Sequence, residues 1–92
     1  MTAPDLVIGV DCSTTAAKAV LEDSGGRVLA VASRPLRTSS PHATWHEQDA
    51  EAWWTATRDA VAEVVAQAGD PARVGAVCLT HQRETFVCLG AD

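Results

Sequence analysis

Apolar residues fall along this chain in short blocks separated by polar punctuation, and the spacing within the blocks changes partway. Leu6 to Val10 reads LVIGV, a continuous apolar run with Pro4-Asp5 before it and Asp11 after it. Such a run predicts a strand buried on both faces. Cys12 to Thr15 is small and hydroxyl-rich and leads into AAKAVLED, a second short apolar run that closes at the turn tetrad Asp23-Ser24-Gly25-Gly26. Arg27 to Ser33 alternates loosely and stops near Pro35. Three strands joined by short turns therefore predict an antiparallel meander over the first third of the chain.

Residues 35 to 48, PLRTSSPHATWHEQ, carry two prolines and three consecutive hydroxyl residues with no periodicity, and they read as a loop. Asp49 then offers an N-cap carboxylate, and Glu51 suits the positive end of a helix dipole. Trp53, Ala56, Ala60, Val61, Val64, Val65 and Ala68 recur every three or four residues. That spacing places them on one face of a helix that Gly69 and Asp70-Pro71 bring to a stop. Val74 to Leu79, VGAVCL, predicts a fully apolar strand, and Phe86 to Leu89 a further short one. The predicted order is β-β-β-α-β-β, an α/β fold with a mixed sheet, since a crossover helix normally joins parallel strands.

Composition narrows the function classes. The 92 residues are 47% hydrophobic and 21% charged, which is globular and neither disordered nor fibrous. Seven basic residues against twelve acidic ones, with no basic cluster, argue against a nucleic-acid partner. No apolar run reaches the ~20 residues of a membrane span, and MTAPDLVIGV has no basic region ahead of its apolar stretch, so a cytoplasmic protein without a membrane partner is expected. Cys12, Cys78 and Cys88 form neither CxxC nor a zinc pattern and are expected to act as small buried apolar residues.

The segment DCSTTAAK carries the most chemistry. An acidic residue ending a buried strand, Asp11, can orient a hydrated Mg²⁺, an ion that takes one or two carboxylates plus phosphate oxygens and water. The hydroxyls and amides of Ser13, Thr14 and Thr15 can hold phosphate oxygens, the amides in the manner of a backbone nest, and Lys18 adds positive charge. Neither GxxxxGK nor GxGxxG is present, and the bland alternative is a solvated hairpin turn. His42 and His46 have no partner at ligand spacing, and His81 reads as a polar strand-end residue. Trp53 reads as a core anchor, Trp45 and Trp54 as covers for a loop or sheet edge, and Glu47, Asp49 and Glu51 as a solvated helix entrance.

Taken in order, the segments VIGVDCSTTAAKAVLED, GGRVLA, TWHEQDAEAWW and VGAVCLTHQRETFV resemble the amino-terminal part of the FGGY family of carbohydrate kinases, and the resemblance spans essentially the whole chain. THQRETFV looks most like the glycerol-kinase branch. The resemblance implies a ribonuclease H-like lobe of the actin and hexokinase ATPase type, here truncated, with residues 1–92 forming a single incomplete domain. It implies ATP and Mg²⁺ as cofactors and a sugar or polyol as substrate, with Asp11, Thr14, Thr15 and Lys18 at the nucleotide and Gln82, Arg83 and Glu84 at the substrate. The remainder of a longer kinase chain and a homo-oligomer are the implied partners. Ser13 stands where the family usually has Gly, a substitution that costs energy if the backbone there needs φ > 0. Ala16 replaces the serine of the glycerol-kinase version. The general base is expected beyond residue 92, so the 92 residues alone are expected to be inactive. The alternative reading is a non-catalytic binding or interaction module built on the same strand meander.

Overall fold

The structure, a computed structural model, describes residues 3–44 and 47–81, the last of these by its backbone alone. Four strands form one sheet: β1 (Leu6–Cys12), β2 (Ala16–Asp23), β3 (Val28–Pro35) and β4 (Val74–His81), in the spatial order β3-β2-β1-β4. β1 to β3 are antiparallel, and β4 lies parallel to β1 after the crossover through helix α1 (Ala50–Ala68). This is the meander and crossover that the sequence predicts. The strand expected over Phe86–Leu89 lies outside the described residues.

Local chemistry accounts for each boundary. At the β2–β3 turn, Asp23 Oδ1 accepts from the amides of Gly25 and Arg27 at 2.9 Å each, and Gly26 takes φ 82°, a left-handed value that a Cβ would penalise. Asp49 caps α1 by accepting from the Glu51 amide at 3.0 Å, and Gly69 ends the helix at φ 82°. A short 3₁₀ turn over Pro71–Arg73, not foreseen from the sequence, follows; Asp70 caps it by accepting from the Ala72 amide at 3.0 Å. Arg73 then grips the Asp5 carboxylate with two hydrogen bonds, Nε to Oδ1 at 3.0 Å and Nη2 to Oδ2 at 2.8 Å. The pair ties the entry of β1 to the entry of β4.

The core lies between one face of the sheet and α1. Leu6, Ile8 and Val10 from β1, Ala19 and Leu21 from β2, and Ala32 from β3 meet Ala60, Val64 and Ala68 of the helix. Val61 and Val65 pack at its margin, as the helical spacing predicts. Small residues dominate because α1 sits directly on β2 and β3. Arg34 of β3 also pairs with Glu63 of α1 at 2.7 Å.

Three expectations need correction. β1 is buried on one face only: its inward residues are buried, whereas Val7 is 42% exposed and Gly9 and Asp11 face solvent. β4 is apolar but open, with Val77 51% and Leu79 69% exposed, because α1 covers β2 and β3 and does not extend over the β4 edge. Cys78 is exposed and Cys12 half-buried, so neither is a core residue; Cys88 lies outside the described residues.

Candidate functional site

Strand pairing builds a polar rung across the open face of the sheet. Asp11 sits opposite Lys18 of β2 and Thr80 of β4, and Lys18 in turn sits opposite Ser33 of β3. Directly paired residues share a face, so these four side chains form one row. The next row, Val31, Val20, Gly9 and Cys78, is small or apolar. Asp11, Lys18, Glu22, Cys78 and Thr80 are among the residues that line a shallow groove of about 340 Å³ there. Thr80 Oγ1 lies 3.3 Å from both Asp11 Oδ1 and the Val10 carbonyl, and its single proton serves one acceptor at a time. Asp11 falls inside β1 rather than just past its end, one residue before the strand closes.

Two residues further along, β1 turns into β2. The Ser13 amide donates to the Ala16 carbonyl at 2.9 Å, leaving Thr14 and Thr15 at the tip. Ser13 Oγ donates to the same carbonyl at 3.0 Å and accepts from the Ala16 amide at 3.3 Å, closing the turn from its side chain. None of the described non-glycine residues has positive φ, so Ser13 at the family's glycine position carries no left-handed strain. The Ser13 amide and hydroxyl are moreover engaged within the turn. At ~3.3 Å per strand residue, the Asp11–Lys18 rung and the turn lie within about 10 Å of one another.

A residue that the sequence analysis did not single out holds this turn. Gln48, just before α1, donates from Nε2 to the Thr14 carbonyl at 2.6 Å and to Thr38 Oγ1 at 3.1 Å, while its Oε1 accepts from Trp53 Nε1 at 2.8 Å. Trp53 is thus half-buried with a bonded indole at the start of the helix, not a central core anchor. Trp54 is 59% exposed, and Glu47 and Asp49 form part of a second, open recess beside Thr38 and Ser39. The only advance signal for Gln48 was its place inside TWHEQD; the signal for Thr80 was absent until the β1–β4 register was known.

Of the sequence-predicted site residues, the fold brings Asp11 and Lys18 side by side and puts Thr14 and Thr15 at the adjacent tip. Gln82, Arg83 and Glu84 lie outside the described residues, as do Trp45 and His46. The backbone of His81 pairs with Cys12, so β4 delivers the chain to the same end of the sheet as Asp11. Among the described residues no group of three His, Cys, Asp or Glu side chains could cage a metal, and none of their helices is long and apolar enough to cross a membrane.

Residues 6–92 match the N-terminal domain of the FGGY family of carbohydrate kinases. A glycerol kinase of Citrifermentans bemidjiense is 37% identical over 84 residues, covering 90% of this chain and 17% of the relative. The crystal structure of xylulose kinase from Rhodospirillum rubrum superposes with a TM-score of 0.78 at 42% identity, covering 85% of this chain and 16% of that one. Glycerol kinase of Plasmodium falciparum, at 19% identity and a TM-score of 0.73, shares the fold. The chain thus spans about one sixth of the length of these relatives. The mixed sheet and α1 are those of the N-terminal lobe of a ribonuclease H-like kinase, and the chain belongs to the FGGY family of carbohydrate kinases.

Proposed function

We propose that this chain works as part of an ATP-dependent carbohydrate kinase that transfers the γ-phosphoryl group of ATP to a sugar or polyol hydroxyl in the cytoplasm. The observation that carries the reading is the Asp11–Lys18–Thr80 rung beside the Thr14–Thr15 tip, in a chain whose relatives are glycerol and xylulose kinases. A carboxylate, a cation and hydroxyls on one open face are what a metal-bound polyphosphate needs. A single exposed carboxylate suits Mg²⁺, which keeps most of its water and phosphate ligands, better than it suits an ion that demands a protein cage.

In this reading Asp11 would hold the hydrated ion, which would supply positive charge to the phosphates. Thr14 and Thr15 offer hydroxyl donors to phosphate oxygens, and Lys18 places a positive charge on the same face. Gln82, Arg83 and Glu84 receive the acceptor, because guanidinium donors and carboxylate or amide acceptors satisfy adjacent hydroxyls that would otherwise be desolvated without partners. Their support is the QRE sequence itself and its position directly after β4. The attacking hydroxyl loses its proton to a base from a part of the protein beyond these 92 residues, so residues 1–92 are one partial domain of the working unit. Full-length protein incubated with ATP, Mg²⁺ and a panel of glycerol, xylulose and related polyols and ketoses should release ADP only when metal and one of these acceptors are both present. Absence of turnover with every acceptor overturns the proposal.

A further inference from the structure

We propose that Gln48 is a positioning residue for the phosphate turn, setting the Thr14–Thr15 tip through the Thr14 carbonyl. This rests on assigning that tip to nucleotide phosphates. The chemistry of its partners fixes the orientation of the amide. The Trp53 indole can only donate and the Thr14 carbonyl can only accept, so Oε1 must face Trp53 and Nε2 must face Thr14, as observed at 2.8 and 2.6 Å. The bonds from Ser13 to Ala16 and from the Leu36 amide to the Thr15 carbonyl at 2.8 Å join the turn to the sheet. Gln48 therefore makes a bond across 34 residues that ties the start of the helix to the tip of a hairpin. With the amide in place the Thr14 carbonyl points to Nε2, and the two threonine side chains are held in one arrangement. Without it the tip can rotate while the hairpin below stays paired.

The test uses the full-length protein and three variants. Gln48→Met keeps the volume and removes all three bonds of the amide. Gln48→Glu keeps an acceptor for Trp53 but turns an oxygen toward the Thr14 carbonyl. Thr38→Val removes the second acceptor of Nε2 and leaves the Thr14 bond intact. Amide hydrogen exchange at Ser13 and Leu36 should accelerate roughly threefold to tenfold in both Gln48 variants, the range expected for one partly buried hydrogen bond, and stay at the native rate in Thr38→Val. KM for ATP should rise by a similar factor in both Gln48 variants, with KM for the acceptor unchanged. Native exchange at these amides in Gln48→Met overturns the link between Gln48 and the turn. Faster exchange with an unchanged KM for ATP, or with equal rises for ATP and acceptor, overturns the positioning role. Exchange needs no nucleotide, so it separates the two ideas. An unaltered protein that fails to use ATP overturns the phosphate assignment, and the positioning role with it.

Discussion

The helix-to-sheet contact is built from alanines, and that makes one substitution unusually informative. Ala60 is fully buried in the middle of α1, within a cluster that includes Ala19, Ala32 and Leu21 of the sheet. Ala60→Leu adds three carbons where the neighbouring surface is already occupied, and close-packed interiors accommodate such additions by shifting backbone or forcing poor rotamers. The expected cost is about 1–3 kcal/mol. At 2 kcal/mol, local opening of the meander becomes about thirtyfold more frequent. Ala62→Leu is the matched control: the same change, two residues along the same helix, at an exposed position, with an expected effect within about 0.5 kcal/mol. Hydrogen exchange of the β1 and β2 amides in the full-length protein reads both. Helix propensity cancels between the two variants because Ala gives way to Leu in each. If Ala60→Leu leaves exchange of these amides as slow as Ala62→Leu does, α1 is not seated directly on the sheet and the packing argument fails.

Three further outcomes follow from the same structure. Lys18→Ala should weaken ATP use by about tenfold or more, the loss of one charge-assisted contact, with little effect on the acceptor, and Arg83→Ala should do the reverse; kinetics in which both variants damage both ligands equally would sink the site assignment. The hydrogen bond from Arg73 holds the Asp5 carboxyl below its ordinary value of 3.8, so the ionised form is favoured in the folded protein. The stabilisation is then complete above 3.8 and lost as pH falls through the lower folded value. Denaturation of native and Asp5→Asn protein should accordingly show a constant gap at neutral pH that narrows only below 3.8; a gap that changes between pH 5 and 8 would refute it. Gly26→Ala, at φ 82°, should loosen the β2–β3 turn by about 1 kcal/mol without altering ATP or acceptor kinetics, as measured by exchange of the Asp23 amide that bonds Arg27 at 3.0 Å.

The elements were legible in the residues because their causes are local. AAKAVLED begins and ends as β2 does, since the turn at Asp23 is closed by bonds that span four residues or fewer. α1 runs from the Asp49 cap to the Gly69 stop for the same reason. The meander, the crossover and the membership of Asp11, Thr14, Thr15 and Lys18 in one neighbourhood were therefore readable from spacing and from the resemblance. Exposure was not. LVIGV and VGAVCL carry apolar side chains on both faces, yet what covers a face depends on where the helix lies. Only the packing of α1 on β2 and β3 shows that β4 and the outer face of β1 stay open.

The site divides along the same line. Residue types alone determined that this chain carries a carboxylate, paired threonines and a lysine within eight residues of one another. Tertiary structure decided how they are arranged. The strand register set Asp11 between Lys18 and Thr80, and the Ser13 side chain closed the turn without left-handed backbone. It also carried Gln48 across the fold to the Thr14 carbonyl. Thr80 and Gln48 reach the site from 69 and 34 residues away, and a contact at that distance leaves no mark on local periodicity. It exists only once the sheet is paired and the helix docked.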